Sequence, residues 1–229
     1  MTLCVAVNYV DYKELHKREA QEIALSVMAC NAPLDARLCV FVFEEDNVEV
    51  PERFEVHKTL KLNSKDILGN DRTLPYVKEI MDQASDFNEE AFLFVNSDIL
   101  LSRDFFKHIR IDIDVHVFYR IEICKTTLLQ FNENKFKRYY PVDWHSGNDG
   151  FLFRTVWWKN NRNKFPDDLI LGETEWDTCY RTITQHETPR HFLTRSLYHF
   201  YHDALWTLIS KGALNNIRIW QDIKKRYGI

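Results

Sequence analysis

Three short, uninterrupted apolar runs constrain this chain more than any other feature: Leu3 to Val7 (LCVAV), Leu38 to Phe43 (LCVFVF) and Ala91 to Val95 (AFLFV). A strand with one solvated face alternates apolar and polar residues, whereas a strand covered on both faces does not need to. The runs are too short for buried helices and rich in β-branched and aromatic residues, so they read as central strands of a covered sheet. Helical stripes separate them. A helix is expected from about Glu14, with Ile23, Ala24, Val27 and Met28 on its buried face. A second is expected over Leu74 to Ala84, with Val77, Ile80, Met81 and Ala84 on one stripe and Pro75 in the first turn. Phe54 to Leu62 holds a weaker strand; Val115 to Arg120 and Gly150 to Arg154 look like further strands. Helices are expected over Tyr201 to Ser210 and Leu214 to Lys225. Alternating strands and helices predict an α/β fold: a mixed, mostly parallel sheet flanked by helices. At 229 residues and 45% hydrophobic content, one such core fills the chain, so a single domain over 1–229 is expected.

Several classes are disfavoured. The formal charge of −4 argues against a basic nucleic-acid coat, although not against a local patch. The 5 cysteines are scattered without a CxxC, which predicts buried thiols in a reducing compartment and no structural zinc site. The N-terminal run reads as a first strand rather than a secretory signal, and no apolar run approaches the ~20 residues of a membrane span. A soluble, cytoplasmic protein is expected. No GxGxxG, GxxxxGK[ST] or GxSxG occurs, which disfavours dinucleotide-binding, P-loop and elbow-type hydrolase chemistry.

Five segments offer chemistry, each with a plainer structural alternative. Asn96-Ser97-Asp98 follows the third run. A carboxylate there lies where open α/β sheets bind ligands and would hold Mg²⁺ or Mn²⁺; the same residues also make turns and caps. Arg72, in Gly69 to Pro75, would meet phosphate oxygens or simply belong to a solvated loop. Trp144, Asn148 and Asp149, between Asp143 and Phe153, would stack on a sugar and accept its hydroxyls, or form a tight turn with a buried Trp. Glu173, Glu175 and Asp177 lie at an apparent helix start, where one would serve as a general base while at least one simply complements the helix dipole. His199 and His202, beside Asp203, share a helical face if the segment is helical, and would complete a metal site or be structural.

The order of these segments resembles that of nucleotide-sugar-dependent glycosyltransferases of the GT-A fold. The likeness covers roughly Leu3 to Asp203: an Arg-containing helix start (Arg72, Pro75), a DxD-like triplet (Asn96, Ser97, Asp98), Gly-Asn-Asp-Gly-Phe, Gly-x-x-Glu-x-Asp (Gly172, Glu175, Asp177) and a late His. It implies a GT-A-like sheet with a nucleotide-donor half at about 1–100 and, at about 101–229, an acceptor half with C-terminal helices. It implies transfer of a sugar from a nucleoside-diphosphate sugar, UDP-sugars first, to an acceptor hydroxyl, metal-assisted by Mn²⁺ or Mg²⁺ and inverting. By position it implies Asn8 and Tyr9 at the base, Arg72, Asn96, Ser97 and Asp98 at the donor, and Trp144, Asn148 and Asp149 at sugar or acceptor. Glu175 would be the base, with Asp177 its close competitor, and Asp98, His199 and His202 the metal ligands. The triplet starts with Asn rather than Asp, which removes one anionic ligand. The short chain leaves little room for an acceptor domain, so a large acceptor or a homo-oligomer is implied.

Other readings stay open. Lys135 to Tyr140 interleaves cations with aromatics, and Arg218, Lys224, Lys225 and Arg226 follow near the C-terminus. That pattern suits a transferase acting on modified bases in DNA, although solvated surface is the preferred reading. A non-catalytic nucleotide-sugar-binding module, and a metal-dependent hydrolase using Asp98, His199, His202 and Asp203, are the remaining alternatives.

Overall fold

The computed structural model describes residues 2–70, 72–110, 112–123, 147–200 and 209–229. The three apolar runs become β1 (Leu3–Asn8), β2 (Arg37–Phe43) and β4 (Ala91–Asn96), each almost wholly buried. The weaker run is β3 (Phe54–Leu60), which lies at the edge of the sheet and exposes most of its length. The sheet has order β3-β2-β1-β4-β7-β6-β8-β5, where β5 is Ile99–Leu101, β6 is Val115–Ile123, β7 is Asn148–Arg154 and β8 is His191–Phe200. β1 runs parallel to both β2 and β4, and β2 to β3. β7 is antiparallel between β4 and β6, while β6 and β8 are parallel. The mixed, mostly parallel α/β sheet expected from the sequence is therefore present.

Period-2 alternation divides each central strand between two cores. In β4, Phe92 and Phe94 join one cluster, and Leu93 and Val95 the other. The first face is aromatic and is covered by α3 (Val77–Ser85), α4 (Thr155–Asn161), α5 (Trp176–Glu187) and α6 (Lys211–Tyr227). Trp176 meets Phe94 edge-on at 5.9 Å, and Tyr180 meets Phe151 at 5.7 Å. The indole of Trp158, fully buried, donates to Asp82 Oδ1 at 2.9 Å, which satisfies its one polar atom. The second face is mainly aliphatic, with Phe54, Phe105 and Phe118 among its members, and takes Leu25 and Met28 of α1 (Leu15–Asn31). Ala24 and Val27 lie on the predicted stripe and pack against Leu100, Ile123 and Tyr198.

Several expectations need correction. Pro75 is not in a helical turn: Asn63 and Pro75 form a bridge, Tyr76 pairs with Ile170, and the helix begins at Val77. Proline holds its predecessor extended. The resulting Leu74–Tyr76 segment clamps residues 169–171 through Val77 N–H to Leu169 O and Leu171 N–H to Pro75 O. His199 lies on a strand, not on a helix. Ser210 does not end a helix; it caps the N-terminus of α6, accepting from the Ala213 amide. The rest of the helix expected over Tyr201 to Ser210 falls on residues 201–208, outside the described residues. Cys4, Cys39 and Cys179 are buried thiols as expected, but Cys30 is exposed. α2 (Ser64–Leu68), α4, β5 and β8 are elements the sequence reading did not identify.

Gly150 is the most closely enclosed glycine of the chain. A Cβ there would lie 2.6 Å from Leu197 Cδ1 and 3.1 Å from Val95 Cγ1, both in the aliphatic core. Gly150→Ala is expected to destabilise the protein by about 1–3 kcal/mol through overpacking. The shift is read as a lower urea midpoint at unchanged slope. Adding Leu197→Ala is expected to cost less than the sum of the two changes, because it makes room for the new methyl.

Candidate functional site

The parallel strands β1, β2 and β4 end side by side, and a cleft of about 600 Å³ opens beyond their C-terminal ends. That is the usual ligand position of an open α/β sheet, at a volume typical of small-molecule sites. Asn8 and Asn96 are direct register partners at the ends of β1 and β4, so their side chains point to the same face. Arg72 enters from the loop before the Leu74–Tyr76 clamp, and its Nη1 donates to Gly172 O at 3.3 Å. Gly172 has φ +78°, a conformation that a Cβ would strain, and Arg72 lies 3.7 Å from where that Cβ would be. The cleft thus gathers Asn8, Tyr9, Arg72, Asn96, Ser97 and Asp98, all six residues expected at the donor, from three separate segments.

Ser97 also has a structural role. Its hydroxyl donates to Gln21 Oε1 of α1 at 2.5 Å, and Gln21 also accepts from the Val10 amide and donates to the Val10 carbonyl. Ser97 and Gln21 therefore pin the loop after β1, and Gln21 was not anticipated. Several amides are left unpaired. Asn8 Oδ1, Asn96 Oδ1 and both polar atoms of the Asn148 side chain are buried without a hydrogen-bond partner among the described residues. A buried orphan of this kind costs about 1–3 kcal/mol, so grouping them at the strand ends marks a place built for a polar ligand.

Beside the cleft runs a chain of charged groups. His199 Nε2 lies 3.3 Å from Asp98 Oδ2, and its Nδ1 lies 2.7 Å from Glu122 Oε2. Glu122 Oε1 meets Arg120 Nε at 2.7 Å, and Arg120 Nη1 reaches Asp149 Oδ2 at 2.8 Å. Asp149 Oδ1 accepts from Asn96 Nδ2 at 2.9 Å, which returns the chain to the cleft. Burial by itself would lower the basicity of His199, but the flanking carboxylates of Asp98 and Glu122 outweigh it and push its pKa up to about 10. At neutral pH the ring is therefore an imidazolium that donates to both acids.

The expected base candidates lie at the start of α5. Asp177 Oδ2 accepts from the Asn148 amide at 2.7 Å. Burial pushes its carboxyl up to about 6, against the amide hydrogen bonds and with help from the charge of Asp149. Glu175 caps the helix in a left-handed conformation, φ +67°, that is rare for a non-glycine residue. Its carboxylate makes no hydrogen bond or ion pair among the described residues. Asn148 and Asp149 sit at the start of β7, and Asp149 is tied to the cleft through Asn96. Trp144, His202 and Asp203 lie outside the described residues, as does the Lys135 to Tyr140 segment.

Asp98 and His199 bring a carboxylate and an imidazole together, near the unpaired amide oxygens of Asn8 and Asn96. Carboxylate, amide oxygen and imidazole form a donor set that fits Mn²⁺ or Mg²⁺. Asp98 and Glu122 approach opposite edges of the ring, so they do not converge on one point, and a cation at Nε2 would have to displace its proton.

No family model matches the chain, and no curated protein matches it. Among solved structures it is similar to a protein of Desulfovibrio desulfuricans assigned as a nucleotide-diphospho-sugar transferase. That match has 13% identity and a TM-score of 0.41 and covers 99% of this chain and 97% of the other. It is also similar to a glycosyltransferase involved in the glycosylation of the major capsid of PBCV-1, with 12% identity, a TM-score of 0.41 and coverage of 87% and 93%. The glycosyltransferase GlyE of Streptococcus pneumoniae matches at 10% identity and a TM-score of 0.44, over 99% of this chain and 62% of that one. Similarities of this order carry no argument about function, which rests on the site. Among the described residues, no helix is long and apolar enough to cross a membrane.

The Arg120 and Glu122 links were missed because β6 was expected to stop at Arg120. Extended by three residues to Ile123, the strand places Arg120 and Glu122 two apart, on one face by period-2 alternation.

The raised carboxyl of Asp177 has a consequence for folding. Between about pH 4 and 6 the native state holds a proton that the unfolded state releases, so this group lowers stability as pH rises through that window. In Asp177→Asn, unfolding free energy measured by urea at pH 4, 5, 6 and 7 is expected to lose that part of its pH dependence.

Proposed function

We propose that the chain is a nucleotide-sugar-dependent glycosyltransferase. The observation that carries this reading is the convergence of Asn8, Tyr9, Arg72, Asn96, Ser97 and Asp98 on one cleft at the strand ends. The donor is a nucleoside-diphosphate sugar, with UDP-sugars the first to test. Its base lies against the loop after β1, and its diphosphate faces Arg72 and Asp98. Leaving-group charge is the main demand of such a transfer, and positive charge placed where it develops lowers the barrier. Asp98 and His199 would hold Mn²⁺ or Mg²⁺, which when bound supplies that neutralisation. Arg72 contributes a fixed guanidinium to the same side, oriented by Gly172. The chain from His199 to Asp149 holds Asp98 and Asn96 in place before the donor enters.

Attack by an acceptor hydroxyl needs a base. Glu175 is assigned that role: its carboxylate is uncommitted, and its backbone strain is the kind that persists at functional positions. Asp177 is the second reading, favoured by a carboxyl near 6, a value suited to a base at neutral pH. An inverting outcome follows if either carboxylate lies opposite the leaving group.

Glu175→Gln is expected to lower transfer by at least about 100-fold while leaving donor affinity within about twofold. Near-normal turnover would remove Glu175 from the role. Loss of an acid limb near pH 6 from the Asp177→Asn rate profile would assign the base to Asp177 instead. Asp98→Ala is expected to weaken donor binding measured by calorimetry with Mn²⁺, and to make that binding insensitive to EDTA. A panel of nucleotide sugars with Mn²⁺ is expected to raise the melting temperature for at least one donor. A flat panel of uridine and guanosine donors would remove the reading itself. Binding without turnover or hydrolysis would leave a nucleotide-sugar-binding module.

A further inference from the structure

Away from the cleft, the aromatic face of the sheet carries three donor groups of mixed chemistry. Cys39 on β2 and Glu55 on the edge strand β3 are register partners, and Phe41 and His57 are the next pair on the same face. One ligand atom from each of Cys39, Glu55 and His57 lies within 4.8 Å of the other two. None of the three lines the nucleotide cleft, which lies farther along the strands.

The surroundings hold these groups in place. The His57 ring stacks on Phe41 at 5.4 Å and tilts against Phe87 at 5.0 Å, so its plane is fixed from two sides. Its Nε2 is buried without a hydrogen bond among the described residues and lies 3.5 Å from Glu55 Oε2. The other carboxylate oxygen, Glu55 Oε1, faces Arg37 Nε at 3.5 Å. Arg37 is itself held by Glu89 at 3.7 Å and lies 4.7 Å over the Phe87 ring. Arg37 thus orients one side of the carboxylate and leaves the other turned toward the imidazole, as outer partners do around metal ligands. Behind Cys39, the Cys4 thiol donates to its sulfur at 3.8 Å. Glu55 is half-exposed at the sheet edge, which provides an entry path.

We propose that Cys39, Glu55 and His57 form a second metal site, selective for a thiophilic divalent cation of the zinc class. One sulfur, one imidazole nitrogen and one carboxylate oxygen suit zinc-like ions and disfavour Mg²⁺ and Ca²⁺, which take oxygen ligands. With three protein ligands the fourth position is left to water. Binding replaces the Cys39 thiol proton with the metal; the proton passes to solvent, and no electron is transferred. The loaded site ties edge strand β3 to β2 across the ladder. It differs in kind from the cleft, whose Asp98 and asparagine oxygens suit a hard cation. Neither site depends on the other, so this inference stands apart from the transferase reading.

Cobalt(II) tests it on the full-length protein, stripped first with a chelator. One equivalent is expected to produce a near-ultraviolet sulfur-to-cobalt charge-transfer band, and one equivalent of Zn²⁺ to abolish it. The band is expected to persist in Asp98→Asn and in Cys30→Ser, because neither the cleft nor the exposed thiol supplies the sulfur. It is expected to vanish in Cys39→Ser and to weaken at least tenfold in apparent affinity in His57→Gln. His57 lies on the edge strand, so His57→Gln decides the matter if Cys39→Ser fails to fold, with circular dichroism confirming its fold. Absence of the band in the wild-type protein, or an unchanged band in His57→Gln, overturns the proposal.

Discussion

A single imidazolium held between two carboxylates organises the cleft end of this sheet. His199 on β8 joins Asp98, beyond the end of β4, to Glu122 on β6. Arg120 then links Glu122 to Asp149 on β7, and Asp149 accepts from Asn96 at the end of β4. Buried charges are costly unless each is paired and hydrogen-bonded, and here two cations alternate with three acids so that every neighbour has the opposite sign. The strands that close the sheet therefore cannot slide independently at this end. An error in their register would strand one of these charges in the core.

The two faces of the sheet divide the remaining work. The second face is packed tightly enough that Gly150 admits no methyl group, because the Leu197 side chain reaches over it across β6. The aromatic face carries Phe94, Phe151, Trp176 and Tyr180, which seat α5 and so place Glu175 and Asp177 near the start of β7. The Leu74–Tyr76 clamp positions Arg72 against Gly172, closing the cleft from the opposite side. Four polar atoms without a partner among the described residues, on Asn8, Asn96 and Asn148, collect at the strand ends, while others such as the Tyr180 hydroxyl lie in the core. In a well-packed protein, such placement marks where a ligand completes the hydrogen bonding.

Legibility followed the range of the interactions. β1, β2 and β4 were readable because a strand buried on both faces has a local signature, a continuous apolar run. Asp98 and Arg72 were readable as candidates for the same reason: one ends such a run and the other lies just before a periodic helix. β8 was not readable. Its segment, HFLTRSLYHF, has no clean alternation, and it becomes a strand through pairing with β6 on one side and β5 on the other. His199 and His202, three apart, resembled a helical pair, yet β8 places His199 beside the acids on neighbouring strands. Gln21 looked like an ordinary helix residue, and its contacts with Ser97 and Val10 span turns the sequence does not display.

By itself, the sequence determined the layered α/β architecture and six of the residues that line the cleft, because burial on both sides of a strand and polar residues at strand ends are local properties. Only the tertiary structure decided who pairs with whom. Glu122 and Arg120 become partners of His199 and Asp149 because strands distant in sequence lie about 5 Å apart in a sheet. The same principle gathers Cys39, Glu55 and His57 on one face without any local motif. Charge neutralisation and metal-ligand geometry are properties of distances in space, and spacing along the chain does not encode them until the sheet has formed.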